Sequence, residues 1–168
     1  KGLNYGNKKI TVSTSGIANK IPEAADEIGT YLALSLHAPN DELREEIMPI
    51  NKKFKIKDLI QQLKYYTSVV KEPIFLEYVM LKGVNDTEDC AKQLVKIMAQ
   101  FPSKVNLIEF NSWPGVKFQP TERKDIEKFS KFIQDKGYMS FIRRSRGDDV
   151  LAACGQLRTE SEKKSKPN

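Results

Sequence analysis

Residues with chemical potential crowd the C-terminal third, in the stretch "RRSRGDDVLAACGQL" from Arg143 to Leu157. Arg143, Arg144 and Arg146 precede Cys154. Guanidinium groups within a few ångströms of a thiol favour its thiolate, the form that attacks or carries carbon. Gly155 beside it leaves room for a substrate to approach. Asp148 and Asp149 oppose that effect if they lie nearer, or serve as caps or partners for the arginines. On residue chemistry alone, Cys154 stands open between a reactive thiol and a small apolar residue. Cys90 reads as core, because it falls on the apolar side of a helical pattern with Ala91, Leu94, Ile97 and Met98.

The remaining candidates fall at the ends of apolar runs. Ser13, Thr14, Ser15 and Gly16 follow "KITV"; Ser35 and His37 close "YLALSLH"; Asn85 and Asp86 follow "EYVML"; Asn111 follows "VNLIEF". Such a set of hydroxyls, one imidazole and amides suits a polar small molecule such as a nucleoside. Turning chains are also polar for structural reasons alone. His37 is the single histidine, and no second His or Cys stands at zinc-binding spacing, so no metal site is expected in this chain. No glycine-rich phosphate loop of either standard kind occurs.

Those runs are the strands that must position the candidates. Strands are expected at Lys9 to Thr14, Tyr31 to His37, Pro73 to Leu81, Lys104 to Phe110 and in "YMSFIRRS". Helices are expected in "IPEAADEI", in "NDELREEIM" with Asn40 or Asp41 as cap, in "IKDLIQQLKYYTSVV" and in "TEDCAKQLVKIMAQF". A last helix, capped by Thr121, runs to Gly137. Alternating strands and helices of these lengths predict an α/β fold with a mainly parallel sheet and outer helices. Right-handed crossovers gather the strand C-termini on one edge, where ligands bind.

The 168 residues carry a net charge of +6, with dense runs at "NKKFKIK" and "RRSR". That bias leans toward a polyanion. Two cysteines make no disulfide framework, and a reducing cytoplasm is the expected location. No membrane span or signal peptide is read. Residues 1–157 are expected to form the core, and 158–168 a polar, disordered tail.

Taken together, "TVSTSG", "LALSLHAPNDELREEIMPINKK", "EYVMLKGVND", "VNLIEFN" and "RGDDVLAACGQL" resemble the radical S-adenosylmethionine RNA methyltransferases of the RlmN family, in order, from Lys9 to Leu157. The resemblance implies the C-terminal part of a partial (βα)6 TIM-like barrel. It implies S-adenosylmethionine and a [4Fe–4S] cluster as cofactors, the cluster on a three-cysteine loop placed upstream of this segment. Cys154 would be the S-methylcysteine intermediate, from which a radical is drawn to methylate adenine carbon-2 in 23S rRNA and in tRNA. Ser13, Ser35, Leu36, His37 and Asn111 would line the S-adenosylmethionine pocket. Lys52, Lys53, Arg143, Arg144 and Arg146 would contact RNA phosphates. An electron donor for the cluster is implied as a further partner.

With two cysteines, the 168 residues alone are expected to be inactive and to leave an apolar sheet edge open. Rival expectations are a Cfr-type carbon-8 methyltransferase and a non-catalytic RNA-binding product of a split gene. Two residues depart from the family's usual pattern, Ser112 and Glu109, and the charge of Glu109 is expected near the pocket.

Overall fold

The structure, a computed structural model, describes residues 10–112 and 114–143. The segment holding Cys154, Arg144 and Arg146, and the tail, lie outside the described residues.

Five strands form one sheet in the order of the chain: β1 (Thr11–Thr14), β2 (Tyr31–Ser35), β3 (Ile74–Met80), β4 (Ser103–Glu109) and β5 (Met139–Arg143). All four pairings are parallel. Helices α1 (Ile21–Glu27), α2 (Asp41–Ile47), α3 (Ile56–Val70), α4 (Glu88–Met98) and α5 (Arg123–Asp135) lie in the crossovers. Sequential parallel order with crossovers of one hand puts the helices on one face. The result is an open arc of barrel, the α/β architecture expected from the alternation of periods.

The core lies between that face and the helices. In β3 every second residue, Ile74, Leu76, Tyr78 and Met80, is buried. They join Leu32, Leu34, Val105 and Leu107 from neighbouring strands and Leu59, Leu63, Leu94, Ile126 and Ile133 from the helices in one apolar cluster. Cys90 belongs to it, as expected from its helical spacing. The alternate residues, Phe75, Glu77 and Val79, face the other side and are only half-buried. A period of two thus divides β3 between a packed face and an open one.

Beyond one-residue shifts at the ends of β3 and β4, two boundaries differ from the sequence expectation for a visible reason. The cap of α5 is Glu122 rather than Thr121. The Thr121 hydroxyl instead donates to Asp86 Oδ2 at 2.9 Å, across from the loop after β3. Strand β2 ends at Ser35 because the next two amides, of Leu36 and His37, both donate to the Glu77 carbonyl. His37 then adopts φ 57°, in the left-handed region, which no strand continues through.

Candidate functional site

The C-terminal ends of β1 and β2 are held by one buried guanidinium. Arg44 is fully buried in α2 and faces no carboxylate at ion-pair distance among the described residues. Its Nε donates to the Leu36 carbonyl (3.1 Å). Its Nη2 donates to the carbonyls of Ser15 (2.8 Å) and Ser35 (3.1 Å). Its Nη1 donates to Asn51 Oδ1 (3.0 Å). Asn51 Nδ2 in turn reaches Asp41 Oδ1 (2.8 Å), which also accepts from the Ile56 amide (2.9 Å). The "LHAPNDELREEIMPIN" stretch therefore reads physically as a clamp: α2 carries a forked donor whose planar geometry matches several carbonyls at once. Burial pulls the Arg44 pKa down, with Asp41 opposing.

Asn85 does the same for the next strand. It is fully buried, and its Nδ2 donates to the carbonyls of His37 (2.8 Å) and Val79 (2.7 Å), while Oδ1 accepts from the Leu81 amide (2.8 Å). Tyr78 Oη donates to the Asn85 carbonyl (2.7 Å), and burial pushes the phenol well above its ordinary range. Asp86 Oδ1 accepts from the Gly83 amide (2.9 Å), closing the "KGVND" turn.

His37 sits at this junction. Its Nδ1 accepts from the Val79 amide (3.1 Å), so in the neutral ring the proton lies on Nε2. Burial, aided by the nearby Arg44 charge, lowers its pKa to about 4. The ring is thus a neutral donor at neutral pH, held to β3 through the Val79 amide. Leu36, by contrast, turns its side chain into the core, and its amide and carbonyl are both engaged. It takes part in the site only as the backbone bend that leads into His37.

The open face of the sheet holds a cavity of about 510 Å3 lined by Ser13, Phe75, Glu77, Asn106, Phe141 and Arg143, among others. Ser13 is in register with Ala33, and Ser35 with Glu77, so the two serines occupy the same face on adjacent strands. Asn111 follows β4 at the C-terminal edge. Ser13 and Ser35 therefore share one face, and His37 and Asn111 follow β2 and β4 at the same C-terminal edge, whereas the Leu36 side chain is in the core. Glu109 is in register with Met80, on the helix-facing side of the sheet. Its carboxylate pairs with Arg123 at 2.5 Å, so its charge is balanced and directed to the helix side, away from the cavity near which it was expected.

Of the basic residues, Lys52 and Lys53 are exposed on the 3-10 turn Pro49–Lys52 and its C-cap, while Asn51 between them and α2 is buried in the clamp. The Arg143 side chain is 62% exposed yet leans over the open face, with Nη1 3.5 Å from Glu77 Oε1. Glu77 and Asn106 escaped the sequence reading. The signal was a polar residue at the centre of each of two apolar strands, "FLEYV" and "VNLI".

Known proteins resemble this chain in sequence and in fold. RlmN of Rhodopseudomonas palustris (strain BisA53), a dual-specificity RNA methyltransferase, is 50% identical over 164 residues, or 97% of this chain. The chain corresponds to the C-terminal part of the RlmN dual-specificity RNA methyltransferases. It spans about 41% of the length of such a relative. A solved radical SAM methyltransferase from Sphaerobacter thermophilus superposes with a TM-score of 0.87 at 38% identity, covering 92% of this chain and 46% of that one. A domain of pyruvate-formate lyase-activating enzyme from Bacteroides vulgatus matches with a TM-score of 0.63 at 15% identity, over 79% of this chain and 80% of that domain. At that identity it speaks for the fold alone. No family model matches the chain.

The open face fits a nucleoside cofactor: the cavity is polar where Thr11, Ser13, Glu77, Asn106 and Arg143 stand, and apolar at Phe75 and Phe141. An iron–sulfur cluster does not fit these residues. Among the described residues no three His, Cys, Asp or Glu side chains are grouped for a metal. No helix among them is long and apolar enough to cross a membrane.

Proposed function

We propose that this chain is the cofactor-positioning and carbon-carrying part of a radical S-adenosylmethionine RNA methyltransferase that modifies adenine carbon-2 in 23S rRNA and tRNA. The observation that carries the reading is the RlmN likeness. Its 164 aligned residues out of 168 necessarily take in the "RGDDVLAACGQL" segment as well as the strand tips. S-adenosylmethionine supplies both the methyl group and, when reductively cleaved at a cluster held outside these residues, the hydrogen-abstracting radical.

The chain's own groups do the positioning. Ser13, Ser35 and Asn111 offer hydroxyl and amide contacts to the cofactor, and His37 offers its neutral Nε2–H. The clamp through Arg44 and Asn85 keeps these tips from moving. Cys154 is the carrier thiol: an adenine carbon-2 is too weak a nucleophile for direct polar methyl transfer, so the methyl group passes through sulfur. Lys52 and Lys53, with Arg143, Arg144 and Arg146, hold RNA phosphates. The partners are ribosomal and transfer RNA and an electron donor, in the cytoplasm.

The test is mass analysis of the complete polypeptide, purified with its RNA. Wild type carries one methyl group on the Cys154 peptide and yields carbon-2-methylated adenine, distinguishable from the carbon-8 product. Cys154→Ala yields neither. Methylated RNA from the Cys154→Ala protein would refute the carrier role.

A further inference from the structure

A polar row crosses the open face of the sheet. Register places Ser35 of β2 beside Glu77 of β3, Glu77 beside Asn106 of β4, and Asn106 beside Phe141 of β5. Neighbouring strands lie about 4.8 Å apart, so the three polar side chains stand as a strip of hydroxyl, carboxylate and amide. An apolar face would be the default for the inside of a barrel arc, and a carboxylate there has to be held.

Among the described residues Glu77 is held on one side only. Its Oε1 accepts from Asn106 Nδ2 at 2.9 Å and lies 3.5 Å from Arg143 Nη1. Its Oε2 accepts no hydrogen bond among the described residues, nor does Asn106 Oδ1. The Glu77 side chain is 15% exposed, and what it exposes opens into the cavity. Two neighbouring acceptors are therefore oriented and without a partner among the described residues, with the 2.9 Å bond from Asn106 fixing the carboxylate's rotation.

We propose that Glu77 is a positioning residue for the cofactor, its Oε2 accepting from the ribose cis-diol of S-adenosylmethionine; this rests on the function proposed above. A vicinal diol presents two O–H donors to adjacent acceptors, and a carboxylate is a strong ribose partner in other nucleotide sites. The diol also selects the free nucleoside over RNA. An internal RNA residue has its 3′ oxygen esterified and lacks the second hydroxyl, and its phosphates are repelled by a carboxylate. Phe141, 47% exposed at the end of the row, offers an apolar wall to the rest of the nucleoside.

The experiment is equilibrium binding to the complete, cluster-loaded protein, comparing wild type with the near-isosteric Glu77→Gln. Ligands are S-adenosylmethionine and its 2′-deoxy and 3′-deoxy analogues. Thermal melting and RNA binding are measured on the same preparations. Loss of a charge-assisted hydrogen bond weakens S-adenosylmethionine binding by roughly ten- to hundredfold in Glu77→Gln. At least one deoxy analogue then binds both proteins within about threefold, because the partner hydroxyl is gone.

Unchanged S-adenosylmethionine binding in Glu77→Gln overturns the proposal, as does an equal loss for the parent and both deoxy analogues, which marks a purely structural carboxylate. Weakened RNA binding with intact cofactor binding overturns it in favour of an RNA contact. A wild-type protein that binds no S-adenosylmethionine overturns the functional reading along with it.

Discussion

A Cβ at Gly16 would lie 2.8 Å from Arg44 Nη2. Gly16 also has φ 100°, so backbone and space both demand glycine at the turn after β1. The two residues are one device: the guanidinium reaches the Ser15 carbonyl only because its neighbour has no side chain. Gly16→Ala is expected to cost about 2–4 kcal/mol, from positive-φ strain plus displacement of Arg44. Chemical denaturation of the complete protein checks it. A cost below about 1 kcal/mol would mean the turn re-forms without the clamp.

Arg44→Lys tests the fork itself. A lysine keeps the charge but has one compact head, which cannot serve the carbonyls of Ser15, Ser35 and Leu36 together with Asn51 Oδ1. Buried acceptors are then left unpaired, and the expected loss is about 3–5 kcal/mol. S-adenosylmethionine binding should weaken in the same variant under conditions where it remains folded, since the tips of β1 and β2 lose their common anchor.

The strands and helices were legible because their periods are clean. In "PIFLEYVML" alternate residues enter the core, and in α4 the spacing Cys90, Ala91, Leu94, Ile97 and Met98 marks one buried face. The clamp was not legible. Arg44 stands in "DELREEI", which reads as a solvated helix, and its carbonyl partners lie 8, 9 and 29 residues away. Backbone acceptors leave no signature in a side-chain pattern. Glu77 and Asn106 failed for a related reason: each is one polar residue in an apolar strand, and only the register makes them neighbours. Thr121 has the residue type and place of a helix cap, but Asp86, from a loop 35 residues earlier, claims its hydroxyl.

Lys52 and Lys53 should act through charge rather than through shape. Both are exposed, and the buried Asn51 keeps their turn in place without them. The double variant Lys52→Ala, Lys53→Ala is expected to melt within about 1 °C per residue changed of wild type while weakening RNA binding. The plot of log Kd against log salt should flatten by about 0.7–0.9 for each phosphate that is no longer neutralised. An unchanged slope would remove both lysines from the RNA-binding surface.

His37 predicts a specific acid sensitivity. Its pKa is lowered from an ordinary 6.5 to about 4, because burial and the Arg44 charge disfavour the imidazolium. The unfolded chain therefore binds more protons than the folded one between those two values. Unfolding free energy then rises with pH across the window, and stability is lost as pH falls from about 6.5 to about 4. Protonation also competes with the Val79 amide for Nδ1, the hydrogen bond that joins β3 to the end of β2. The loss assignable to this residue is on the order of 3 kcal/mol. His37→Asn tolerates the left-handed backbone at φ 57° and cannot titrate. Comparing denaturation midpoints of wild type and His37→Asn at pH 7 and pH 4.5 isolates the effect: the wild type should lose more stability than the variant between the two. Equal losses in both proteins would mean that the imidazole is already charged, or already free of Val79, at neutral pH.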